Sequence, residues 1–171
     1  MHREDAISIV KLYMQEFYTQ WKIELVGQII HPECAIETIS LFGPAKWMRG
    51  RTGALKRNKM SKVAFPDSKW EPLEFVFEDE RLSVLWRLRA RHQGEFFGIK
   101  ATGREIDVKG MTLFVFRDNL IYKVFQYMDS MQIVTQLSIF EKASHVDTNE
   151  YLSTVREVMG YISKTLEQED Q

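Results

Sequence analysis

Apolar residues recur at helical spacing in the first part of the chain and at every second position in its middle. Ile9, Val10, Tyr13, Phe17 and Trp21 predict a first helix that Asp5 can cap. A second helix, about Lys22 to Ile30, carries Ile23, Val26, Ile29 and Ile30. It stops at His31-Pro32, because a residue before proline disfavours the helical region. Cys34 to Leu41 reads as a short strand, Gly43-Pro44 as a loop, and Gly53 to Ala64 as a basic amphipathic helix ended by Phe65-Pro66-Asp67.

From there the period becomes two. Leu73, Phe75 and Phe77 alternate with Glu74 and Glu78, and Asp79-Glu80 supplies a turn. In the next strand Leu82, Val84, Trp86, Leu88, Ala90 and His92 share one face, while Ser83, Leu85, Arg87, Arg89 and Arg91 share the other. A third strand spans about Glu105 to Arg117, Asp118-Asn119 is a hairpin turn, and a fourth strand runs from Leu120 to Met128. Alternation there puts Phe125, Tyr127 and Asp129 on a common face, with a helix resuming near Ser130, which can cap it. Farther on, Asp147-Thr148-Asn149-Glu150 resembles a capping box before a stripe of Leu152, Val155, Val158, Met159, Ile162 and Leu166. Helices, then a meander of antiparallel strands, then a helix make an α+β pattern. The expected organisation is one domain over 1–140 and a helical extension over 141–171, packed on that domain or on a partner subunit.

Composition narrows the function. The chain has 171 residues, enough for one domain, and a net charge of −1, which supplies no field for a polyanion, so nucleic acid is not an expected partner. No apolar run approaches the roughly 18 residues a membrane helix needs, so no membrane partner is expected. The polar start, Met1-His2-Arg3-Glu4-Asp5, predicts no signal peptide. Cys34 is the single cysteine and cannot form an intramolecular disulfide, which favours a reducing, cytoplasmic setting and a packing role. No H-x-H, H-E-x-x-H or cysteine cluster is present, so no metal is expected.

Two residues carry candidate chemistry. Asp129 closes an apolar, aromatic strand. Buried among Phe125, Tyr127 and Trp86 it would be desolvated, its pKa raised, and fit to act as a base. Alternatively it caps the helix that follows, which would lower its pKa. His92 ends the face that holds Trp86; it could polarise a carbonyl near the cavity mouth, or simply bond a loop. Trp47 and Met48 could close over a ligand or belong to the core. The Arg87, Arg89 and Arg91 stripe reads as a solvated face paired with Glu105 and Asp107, and Lys56, Arg57, Lys59 and Lys62 as an exposed helix face.

Phe65-Pro66-Asp67, the His92-Gln93-Gly94-Glu95-Phe96-Phe97-Gly98 segment, Ala101-Thr102-Gly103-Arg104, and Asp129 with Gln136-Leu137 behind it follow one another in a familiar order. At these residues the chain resembles the SnoaL-like polyketide cyclases, a branch of the nuclear transport factor 2-like superfamily. The resemblance implies a cone-shaped barrel, a curved antiparallel sheet wrapped around the N-terminal helices, with one apolar cavity. It implies a cofactor-free cyclase performing intramolecular aldol condensation, with Asp129 as base, His92 as accessory group, and Trp47, Phe65, Trp86, Phe125 and Tyr127 as walls for a small hydrophobic or polyaromatic ligand. It also implies a homodimer formed through the sheets. Family members commonly carry Gly-Thr where this chain has Ala90-Arg91, and Trp where it has Phe125; Met111 to Phe116 offers only Thr112 as a polar partner for the aspartate. A non-enzymatic ligand-binding or regulatory module on the same barrel, or an isomerase, dehydratase or hydrolase using the same aspartate, are the competing readings, with a scaffold built on the C-terminal helix a further one.

Overall fold

A computed structural model describes residues 1–39, 48–96 and 98–139. The chain divides into two compact units, Met1–Leu137 and Ser138–Gln171. The expected helix from Asp147 lies outside the described residues, and so does Trp47.

The first unit is α+β, as the periodicities predict. Helix α1 (Arg3–Lys11) runs directly into a π-helical segment, Leu12–Thr19, and stops before Trp21, which takes a positive φ of 58°. The wider π turn, closed by the amide of Gln20 on the Gln15 carbonyl (3.2 Å), turns Tyr13, Met14, Phe17 and Tyr18 all inward. Such segments are rare and concentrate at functional sites. The second predicted helix is shorter than expected: a single 3₁₀ turn, Ile23–Leu25, then α2 (Val26–Ile29). Strand β1 (Ile30–Ile39) follows, and α3 (Gly50–Ala64) comes after it.

Strands β2 (Lys69–Glu78), β3 (Arg81–Arg91), β4 (Glu105–Arg117) and β5 (Leu120–Met128) form an antiparallel meander. Two hairpins close with both central residues at positive φ, Asp79-Glu80 (46° and 59°) and Asp118-Asn119 (52° and 58°), a turn whose twist matches that of the flanking strands. The sheet order is β1-β5-β4-β3-β2, so the curved sheet stays open with β1 and β2 as edges. One pair departs from the expected antiparallel sheet: β1 runs parallel to β5. No hairpin joins β1 to the meander, so nothing forces it antiparallel.

The helices cover one face of the sheet. Beneath them lie Leu82, Val84, Trp86, Leu88 and Ala90 of β3 and Ile106, Val108, Phe114 and Phe116 of β4, all buried. Trp86 is fully buried and pairs across the ladder with Gly110. A Cβ at Gly110 would collide with the indole ring and with the Tyr127 carbonyl oxygen (2.6 Å), so glycine is required there by the close approach of the tryptophan.

On the outer face the arginine stripe pairs as expected. Arg87 Nε donates to Asp107 (2.7 Å), Arg91 binds Glu105, and Arg89 reaches Glu71 at 3.4 Å. Helix α4 (Ser130–Gln136) docks on β4 through Gln136, whose amide accepts from the Asp107 N–H (2.6 Å) and donates to its carbonyl (3.0 Å). Those backbone groups lie beyond the end of the β5 pairing, where the ladder leaves them open.

Candidate functional site

Asp129 ends β5, but its side chain is exposed, and Oδ1 accepts the Met131 N–H at 2.9 Å. It is the N-cap of α4. The expectation that Ser130 would cap and leave Asp129 free in a pocket is therefore corrected. Phe125 and Tyr127 share one face, as alternation predicts, and that face is the outer one. The register of β4 against β5 shifts at Val115/Phe116, which face Lys123 and Ile121, leaving Tyr122 as an extra residue. A bulge of one residue exchanges the faces of everything after it. Val124 and Gln126 are buried beneath the helices, whereas Tyr127 is 49% exposed and Phe125 lines an open outer groove of about 660 Å³ with Leu113, Val115, Arg117 and Lys123.

His92 lies inside rather than at a mouth: it is fully buried, with its ring 5.3 Å from Phe65 and 6.4 Å from Phe96. The Thr102 amide donates to Nδ1 at 3.3 Å, so Nδ1 is an acceptor and the ring proton belongs on Nε2. Nε2 is buried without a partner among the described residues. Burial holds the imidazole below its ordinary value of 6.5, keeping it neutral at neutral pH. His92 and Phe65 thus lie together, and Asp129 is not with them. Met128 pairs with Gly110, while the His92 amide bonds the Arg104 carbonyl six residues farther along β4. That is roughly 20 Å of strand.

The segments around His92 and Phe65 form one joint. The amides of Gln93 (2.9 Å) and Gly94 (3.2 Å) donate to the Ala64 carbonyl, one of the open carbonyls at the end of α3, and Asp67 accepts from the Arg91 amide (2.9 Å).

The polar cluster of the interior involves residues that sequence patterning assigned elsewhere. Arg57, expected on an exposed helix face, turns inward from α3 and donates to the Tyr18 hydroxyl (2.6 Å) and to Gln126 Oε1. Its guanidinium lies 5.2 Å from the centre of the Tyr18 ring. Tyr13 packs edge-on to Tyr18 at 5.0 Å, and Trp70 lies 6.0 Å from Tyr18 and 4.8 Å from Trp86. On the sheet below, Thr38, Gln126 and Thr112 are register neighbours across β1, β5 and β4. Thr112 accepts from the Trp86 indole N–H at 2.8 Å. Three polar atoms around this cluster, Tyr13 Oη, Trp70 Nε1 and Thr38 Oγ1, are buried with no partner among the described residues. Native interiors leave few such groups, and each one asks for a partner. The helical stripe of Tyr13 and Phe17 was legible, but the inward turn of Arg57 was not, because Lys56 and Lys59 beside it point to solvent.

Cys34 is buried and its thiol is pushed up to about 12 by burial, so it packs rather than reacts. Among the described residues no three His, Cys, Asp or Glu side chains gather at one point, and no helix is long and apolar enough to cross a membrane.

Comparison with known proteins places this geometry in context. The family described as SnoaL-like polyketide cyclase matches residues 8–137. A candidate SnoaL-like polyketide cyclase from Jannaschia sp. CCS1 superposes with a TM-score of 0.71 at 18% identity, covering 79% of this chain and 92% of that one. TsrD from Streptomyces laurentii gives 0.70 at 19% identity, covering 80% and 97%. A candidate polyketide cyclase from Acidithiobacillus ferrooxidans gives 0.70 at 21%, covering 81% and 98%. At these identities the structures speak for the fold. No curated protein sequence matches the chain.

Proposed function

Because this chain belongs to the SnoaL-like polyketide cyclase family, matched over residues 8–137, we propose that it takes a small hydrophobic or polyaromatic carbon acid between its helices and the inner face of its sheet. Cofactor-independent, aldol-type ring closure is the reaction that membership suggests. The observation that carries the binding reading is the set of buried polar atoms without a partner among the described residues, Tyr13 Oη, Trp70 Nε1 and Thr38 Oγ1, gathered beside Arg57 and Gln126 in a largely apolar interior. Trp70 and Trp86 make it measurable: a polyaromatic ligand seated there quenches tryptophan emission saturably, and a Trp70→Phe substitution removes part of that signal. A panel of such ligands that leaves the emission unchanged would overturn the reading.

In the catalytic form of this reading Asp129 is the base and His92 an accessory group. Asp129→Asn should then abolish turnover of a cyclisable substrate while leaving its binding intact. Unchanged turnover in that variant would end the assignment. A second reading, a non-enzymatic ligand-binding or regulatory module, is favoured by the bond from the Met131 amide to an exposed Asp129 and by an inner sheet face without a carboxylate among the described residues. An isomerase, dehydratase or hydrolase using Asp129 would fail the same substitution test.

We further propose a homodimer through the outer face of the sheet, where Met111 is 51% exposed and Tyr127 49%. Met111→Asp should then yield a monomer by analytical ultracentrifugation. A cytoplasmic location is proposed from the lone, buried thiol of Cys34 and is checked by fractionation.

A further inference from the structure

The cluster around Arg57 is rich in donors and poor in acceptors. Arg57 offers a planar fork of N–H groups, of which the observed bonds use one toward Tyr18 and one toward Gln126. Because Tyr18 accepts from Arg57, its own hydroxyl hydrogen is free to be donated, to the neighbouring Tyr13 or to a ligand. The Trp70 indole N–H is a buried donor without an acceptor among the described residues, and the buried Tyr13 hydroxyl lies close to Tyr18 and Arg57. Burial pushes the Tyr13 phenol well above its usual pKa, so it remains an O–H donor at neutral pH. The side-chain acceptor facing Arg57 across the sheet, Gln126 Oε1, is already engaged and is neutral. Arg87, Arg89, Arg91 and Arg117 each pair with a carboxylate, whereas Arg57 has only neutral partners among the described residues. A guanidinium drawn into an interior without a counter-charge is costly, and the ring of Tyr18 offsets only part of that cost. An acceptor bearing negative charge would complete the cluster more favourably than a neutral one such as the Thr38 hydroxyl.

We propose that Arg57, Tyr13 and Tyr18 form a binding site for a delocalised oxyanion of the ligand, the carboxylate of an aromatic acid or the enolate of an acidic β-dicarbonyl. Arg57 supplies charge-assisted hydrogen bonds and the two phenols supply neutral ones. This inference rests on the reading that the interior holds a small molecule, and it names the chemical class of that molecule. It also gives Arg57 a use in catalysis: donors fixed before the reaction stabilise negative charge as it develops on oxygen.

The test uses matched probes on the full chain: 2-naphthoate as carboxylate, 2-hydroxy-1,4-naphthoquinone as enolate, and methyl 2-naphthoate as the neutral isostere. Calorimetric titration should show at least one anion bound about tenfold or more tightly than the ester, as expected for charge-assisted bonds. The anion preferred identifies which oxyanion the site takes. Arg57→Gln should abolish the preference, lowering anion affinity far more than ester affinity. Should that variant fail to fold, Tyr13→Phe, which removes one unpartnered hydroxyl, should reduce the preference several-fold without affecting the ester. Equal binding of anions and ester by the wild type would overturn the oxyanion site alone, leaving a purely apolar pocket. Binding of none of the three would overturn it together with the ligand-binding reading beneath it.

Discussion

The two faces of β5 differ more than their sequences suggest. Phe125 and Tyr127 look like the walls of a cavity, yet they point outward with Asp129 beside them in solvent. Gln126, polar and unremarked between them, is 4% exposed and bonded to Arg57. A strand assigns side chains to faces by parity alone, so hydrophobicity cannot tell which face is inside once a bulge intervenes.

Substitutions on the two faces should break this symmetry, beginning with the core. Trp86→Ala removes a fully buried indole bonded to Thr112 and should cost about 3–5 kcal/mol in urea unfolding. Asp129→Ala removes the cap of α4 and should cost about 1 kcal/mol, with no change in ligand affinity. Tyr127→Ser, on the outer face, should change the stability of the protomer by no more than about 0.5 kcal/mol. His92 should have no effect of its own at neutral pH. Its folded pKa is depressed, so the unfolded chain takes up the proton more readily, and stability should fall as pH drops from the ordinary value of 6.5 through the folded one. Urea midpoints between about pH 7 and about pH 5 should show that slope, and His92→Gln should flatten it.

Much of the fold was legible because the motifs that reveal it are structural joints. Phe65-Pro66-Asp67 ends α3, and the turn after β3 bonds the last carbonyl of that helix through Gln93 and Gly94. Gln136 closes the backbone of Asp107, and Asp129 starts the helix that carries Gln136. These bonds fix the order and spacing of the segments, and so mark the family. The first helix and the limits of β4 and β5 followed from apolar periodicity and hairpin turns, whereas the second helix is shorter than expected, a 3₁₀ turn followed by the short α2. The interior cluster was not legible: it needs Arg57 to swing away from the solvated face of α3 and Tyr122 to shift the parity of β5, and both depend on tertiary packing.

The most direct test is to add 2-naphthoate to nitrogen-labelled protein and follow the amide and indole N–H signals by NMR. The Trp70 indole N–H and the side-chain amide of Gln126 should shift most, because Gln126 bonds Arg57 and Trp70 packs on Tyr18, which accepts from Arg57. Shifts confined to Phe125, Tyr127 and Asp129 would contradict it and return the site to the outer face and the end of β5.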